Sequence, residues 1–127
     1  VRWLLDTSVL IDHLRGDQRA VNLLLEGSAR AVELWSVTPV RTEVLAGMRP
    51  SEASATRRLL AALRWNDVTV DIADRAGDLA RTYLRSHRGV DTIDYLIAAT
   101  VQKLDAELKT TNVKHFPMFA RLRPAYR

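Results

Sequence analysis

Apolar positions along this chain fall into two spacings, and their alternation outlines a fold. Trp3-Leu4-Leu5 is a short unbroken apolar run that stops at Asp6, the pattern of a strand buried on both faces. Ser8 to Leu14 reads as a short helix stopped by Gly16. Asp17 is predicted to cap a second helix, which carries Ala20, Val21, Leu24 and Leu25 and ends near Gly27. Ala31 to Val37 follows as a strand. Thr38-Pro39 is a helix start, with Thr as N-cap and Pro at the first helical position. Val40, Val44, Gly47 and Met48 then share one helical face. Arg49-Pro50 ends that helix, because the residue before a proline disfavours helical geometry.

Ser51 is predicted to cap a fourth helix, with Leu59, Leu60 and Leu63 inward and Arg57, Arg58 and Arg64 outward. Val68-Thr69-Val70 reads as a strand, and Asp71 as the cap of a long helix with Ile72, Ala76, Leu79, Ala80 and Tyr83 on one stripe. Asp91 opens another helix, with Ile93, Ile97, Val101 and Leu104 inward. Ala106 to Thr110 is a strand, and Phe116 to Arg127 reads as a turn with room for a last edge strand. Strands separated by helices imply parallel neighbours and right-handed crossovers. The expected fold is a three-layer α/β/α domain with a central parallel sheet of four or five strands, a single domain over residues 1–127.

Composition narrows the chemistry. A chain of 127 residues, 47% of them hydrophobic, can bury a substantial core. It has no cysteine, which excludes a disulfide framework, a thiol nucleophile and a thiolate zinc site. The segment before Asp6 is too short and too soon charged for a signal peptide. The apolar run from Tyr95 to Gln102 falls far below the roughly 20 residues of a membrane span. The expectation is a cytoplasmic protein without a membrane role. A net charge of +4 suits a polyanionic partner such as nucleic acid, and equally a charge that only keeps the protein in solution.

Open parallel sheets bind ligands beyond the carboxyl ends of their strands. Four polar residues map to that edge. Asp6 closes the first strand, Glu43 lies early in the helix after the second, Asp94 sits in the first turn of the helix leading to the last, and Asn112 follows that last strand. Carboxylates that share a site raise one another's pKa unless a cation is present. Hard oxygen ligands without His or Cys suit Mg2+ or Mn2+ rather than zinc, and such a metal can acidify a water and polarise a phosphoryl oxygen. Each residue also has an ordinary explanation. Asp6 and Asn112 are turn formers, and Glu43 suits a solvated helix face. Asp91 and Asp94, three apart, suit a helix cap and the positive end of its dipole. The functional case rests on their meeting at one edge.

Four segments resemble the motifs of PIN-domain nucleases, above all the VapC toxins of bacterial toxin–antitoxin pairs. Leu5-Asp6-Thr7-Ser8-Val9-Leu10-Ile11-Asp12 is similar to the opening motif, and Thr42-Glu43-Val44-Leu45-Ala46-Gly47 to the second. Ile93-Asp94-Tyr95-Leu96-Ile97-Ala98-Ala99-Thr100 is similar to the third, and Leu108-Lys109-Thr110-Thr111-Asn112-Val113-Lys114-His115-Phe116 to the fourth. The resemblance implies a PIN-like fold and a Mg2+-dependent endoribonuclease, with Mn2+ as a possible substitute. It also implies an RNA substrate, a small antitoxin protein that blocks the enzyme, and a homodimer. On that pattern Asp6 and Asp94 are the main metal ligands. Glu43 completes the acidic cluster, and Thr7 supports it by hydrogen bonding. One departure stands out: many relatives carry a fourth carboxylate in the last motif, where this chain offers Asn112 and His115. Asp91 can stand in, because i and i+3 are neighbours on a helix. The expected reaction is in-line attack by a water oriented by Glu43 or Asp91, leaving 5′-phosphate and 3′-hydroxyl ends.

Other readings make different demands. A haloacid-dehalogenase-like phosphatase needs a second Asp two residues beyond Asp6, where Ser8 stands. A response-regulator receiver needs paired acids near its first strand, whereas Asp71 after Val70 is alone. A PIN fold that has lost activity and only binds RNA or protein is compatible with the same motifs. Arg57, Arg58, Arg64, Arg81, Arg85 and Arg88 are candidates for contacts to an RNA backbone, or simply charges on solvated helix faces.

Overall fold

A computed structural model describes residues 1–127. Four strands form one parallel sheet in the order β3-β2-β1-β4: β1 Arg2–Leu5, β2 Glu33–Val37, β3 Arg64–Asn66 and β4 Glu107–Lys109. Six α-helices connect and flank them: α1 Thr7–Leu14, α2 Gln18–Ala29, α3 Thr38–Ala46, α4 Ala53–Ala61, α5 Val70–Tyr83 and α6 Thr92–Leu104. Trp3, Leu4 and Leu5 are all buried, although successive strand residues point to opposite faces. Both faces of β1 are therefore covered, which makes the three-layer α/β arrangement. The main core joins this strand to Val9 and Leu10 of α1, Val40 and Val44 of α3, Leu59 and Leu60 of α4, and Ile97 and Val101 of α6.

Several local expectations are corrected. Val68-Thr69-Val70 is not a strand. The third strand is Arg64–Asn66, where Trp65 donates its indole N–H to the Leu60 carbonyl at 2.8 Å. The β-branched run misleads because Thr69 is the N-cap of α5: its hydroxyl accepts the Ile72 N–H at 3.2 Å, and Val70 faces solvent. Asp71 lies in the first turn and pairs with Lys103 at 2.8 Å. Helix α1 begins at Thr7, one residue earlier than expected, because Asp6 caps it. Val37 precedes α3 without a side-chain cap bond, so Thr38 is inside the helix. A 3-10 turn, Pro50–Glu52, replaces Ser51 as the entry to α4.

Helix α2 runs past Gly27 to Ala29. This glycine is a packing residue, not a stop: a Cβ there would lie 2.9 Å from the Trp3 ring. The tail forms no edge strand. A 3-10 turn at Val113–His115 precedes it, and it is tied down by Ala125 N–H to the Thr110 carbonyl at 2.8 Å and by the Tyr126 hydroxyl to Asp12 at 2.7 Å.

Candidate active site

The cleft grows out of the end of β1. Asp6 is the residue after the strand and the N-cap of α1, so its place is fixed twice. Its Oδ1 accepts the Val9 N–H at 3.3 Å and the Ser8 hydroxyl at 2.5 Å, while Oδ2 accepts the Thr110 hydroxyl. Both hydroxyls are held in turn. Ser8 Oγ accepts the Thr111 N–H at 3.2 Å and Thr110 Oγ1 accepts the Asn112 N–H at 2.9 Å. Two relays thus join the loop after β4 to the two oxygens of Asp6. Burial pushes the Asp6 carboxyl above its usual range, with the Ser8 and Thr110 hydroxyls pulling the other way.

Asp94 enters from the first turn of α6. It forms a reciprocal cap with Asp91: Asp91 Oδ1 accepts the Asp94 N–H at 3.0 Å, and Asp94 Oδ2 accepts the Asp91 N–H at 3.1 Å. His115 Nδ1 lies 3.3 Å from the same Oδ2. Burial raises the Asp94 carboxyl to about 6, and the charge of Asp91 adds to the rise. The Asp91 backbone N–H and His115 oppose it. Glu43, on α3, accepts the Thr7 hydroxyl at 2.6 Å through Oε1, and Oε2 makes no hydrogen bond.

Asp6, Thr7, Glu43, Asp91, Asp94 and Asn112 all line one cleft of about 140 Å3, together with His115. Four carboxylates therefore face a space that no lysine or arginine lines. Sequence reasoning missed Ser8 and Thr110 as partners of Asp6. The available signal was the end of β4: Leu5 pairs with Lys109, so the next residues of the two strands, Asp6 and Thr110, are neighbours. Arg64 and Arg81 are ion-paired, with Glu33 and Asp78, and line no part of the cleft.

The donor set suits a hard divalent cation: oxygen ligands, an excess of negative charge, and two carboxyls, Asp6 and Asp94, whose pKa burial raises. As the side chains stand, no three acids or imidazoles are gathered closely enough to hold a metal ion. Asp6 Oδ1 and Oδ2 each accept a hydroxyl and Glu43 Oε1 accepts that of Thr7; a carboxylate oxygen keeps a second lone pair, so these bonds orient the acids and still leave acceptor capacity for a cation.

A parallel sheet with helices on both faces and an acidic cleft beyond its carboxyl edge defines a class of protein. The chain belongs to the PIN domain family, in its VapC group: the family's profile matches residues 3–121. Ribonuclease VapC19 of Mycobacterium tuberculosis is 50% identical over 123 residues, covering 97% of this chain and 98% of that protein. Ribonuclease VapC10 of the same organism is 46% identical over 124 residues, covering 97% and 92%. A toxin–antitoxin complex from Klebsiella pneumoniae contains a chain with the same fold, at a TM-score of 0.77 and 24% identity over 98% of both chains.

Proposed function

We propose that this chain is a metal-dependent endoribonuclease acting as the toxin of a toxin–antitoxin pair, with Mg2+ as its cofactor and Mn2+ as a substitute. The observation that carries the reading is the cleft of four carboxylates with no lysine or arginine in its lining. The names of the VapC relatives supply the RNA, and the Klebsiella complex supplies the antitoxin as the kind of partner. A homodimer in the cytoplasm, restrained by a small antitoxin protein, fits the same reading. No helix is long and apolar enough to cross a membrane.

Asp6 and Asp94 are the ligands in this scheme. A divalent cation between them would offset charge on a phosphoryl oxygen and make a water more acidic. The chain's own groups do the rest. Ser8 and Thr110 hold the Asp6 carboxylate in one orientation from both sides. Thr7 fixes Glu43 through Oε1, which leaves Oε2 to take a proton from the attacking water. Asp91 and Asn112 support the rim, Asp91 by fixing the backbone N–H of Asp94. Water attack in line breaks the bond to the 3′ oxygen and leaves a 5′-phosphate and a 3′-hydroxyl.

Sequencing and chemical typing of RNA ends tests this directly. Purified protein with Mg2+ is expected to give new 5′-phosphate ends, and EDTA to abolish them. Ends carrying 2′,3′-cyclic phosphate, or undiminished cleavage in EDTA, would overturn the scheme.

A further inference from the structure

A second cavity, of about 260 Å3, lies between the C-terminal parts of α1 and α3 and the entry to α4. Ile11, Leu14 and Val44 form part of its wall, and Arg15 and Arg49 border it. Neither arginine takes part in any ion pair of the molecule. Glu52, the one acid of the wall, accepts the backbone N–H of Arg49 at 2.8 Å and so completes the turn that enters α4. It is engaged by the backbone rather than by either guanidinium. At the cavity's edge with α4, Thr56 is 1% exposed and its hydroxyl has no hydrogen-bond partner. A buried hydroxyl in that state is uncommon and points to a missing polar partner.

The cavity is aligned with the acidic cleft. Ser8 and Ile11 are related as i and i+3 on α1, whose C-cap residue, Arg15, follows four residues after Ile11; the C-cap residue of α3, Gly47, likewise follows four residues after Glu43. Ser8 and Glu43 line the cleft, whereas Ile11, Arg15 and Gly47 line the cavity. The two spaces are therefore successive stations along the α1–α3 groove, about 10 Å apart by helical rise. Arg41 is nearer Glu43 in sequence, but its guanidinium lies over the Trp65 ring at 5.2 Å.

We propose that Arg15 and Arg49 form a phosphate subsite for single-stranded RNA, holding the backbone of nucleotides beside the cleaved bond. The inference rests on the ribonuclease reading above and adds to it where the substrate is gripped. Guanidinium forks match phosphate oxygens in pairs. Contacts of this kind set affinity and register without reading bases.

The test measures binding apart from cleavage. In an Asp94→Asn background, a fluorescein-labelled, mixed-sequence single-stranded RNA is titrated by anisotropy across a salt series. A labelled poly-glutamate peptide is titrated in parallel. Arg15→Gln with Arg49→Gln is expected to weaken RNA binding about tenfold or more and to reduce the log–log salt slope by about 1–2. Arg75→Gln, outside both spaces, should change neither. If Arg15→Gln lowers the melting temperature, Arg49→Gln alone carries the comparison. Unchanged RNA affinity and slope would overturn the subsite, and so would loss of peptide binding with RNA binding intact, which would assign the cavity to an acidic protein. Wild type that cleaves RNA while the double variant keeps its affinity removes the subsite alone. Wild type that neither binds nor cleaves RNA removes the ribonuclease reading and the subsite with it.

Discussion

Asp94 carries two demands at once. Its carboxylate closes the cap of α6, and it faces three other acids across the cleft. Its folded pKa of about 6 lies above the ordinary value of 3.8. The folded state thus binds the proton more tightly than the unfolded chain. The resulting stability is fully present below the unfolded value and is lost as pH rises through the folded one. Metal-free protein is therefore expected to lose stability from this group between about pH 4 and pH 6. Other carboxylates titrate in the opposite sense: Asp17 and Asp71 are lowered by Arg19 and Lys103. The readout is accordingly the melting temperature of wild type minus that of Asp94→Asn, which should fall across this window in EDTA and flatten when Mg2+ is added. A difference that stays constant with pH would show that Asp94 is not under strain. The same variant should lower RNA cleavage by two orders of magnitude or more with the fold retained, checked by initial rates and circular dichroism. At this scale Asp6 was legible, because an apolar strand ended on it. Its Thr110 partner was not, since it lies 104 residues away and only strand pairing makes the two neighbours.

Elements show where local pattern was enough. The stripes of α5 and α6 and the cap at Asp91 follow from spacing alone, and Ile72, Ala76, Ile97 and Val101 are buried accordingly. β3 was illegible because Arg64-Trp65-Asn66 has no alternation or β-branched run, and it is a strand through its pairing with β2. Val68-Thr69-Val70 has the composition of a strand, yet the Thr69 hydroxyl makes it a helix entry. Thr69→Ala should then cost about 0.5–2 kcal/mol, as lost N-caps do, measured by urea unfolding. Two glycines separate helix propensity from packing. At Gly77 a Cβ meets nothing within 4 Å, so Gly77→Ala should stabilise by about 0.5–1 kcal/mol. At Gly27 the same gain is opposed by the Trp3 ring at 2.9 Å. Trp3 is buried and cannot yield, so Gly27→Ala should destabilise by about 1–3 kcal/mol. Equal and favourable effects at both sites would contradict the packing role of Gly27.

Across the whole molecule, the sheet order does the assembling. Placing β1 between β2 and β4 brings the residues after three strands to one edge: Asp6 after β1, Glu43 on the helix after β2, and Thr110 and Asn112 after β4. Asp91 and Asp94 arrive with the start of α6, which leads into β4. The convergence of distant acids could be argued from the strand–helix alternation. The contacts that orient those acids from other elements, Thr7 on Glu43 and Thr110 on Asp6, could not, because they depend on side-chain reach between elements. The most direct test is Mn2+ binding followed by electron paramagnetic resonance on wild type and on Asp6→Asn and Asp94→Asn proteins. Saturable binding to wild type that weakens at least tenfold in both variants is expected, with Mg2+ competing for it. Equal Mn2+ affinity in all three proteins would contradict a cation held between Asp6 and Asp94.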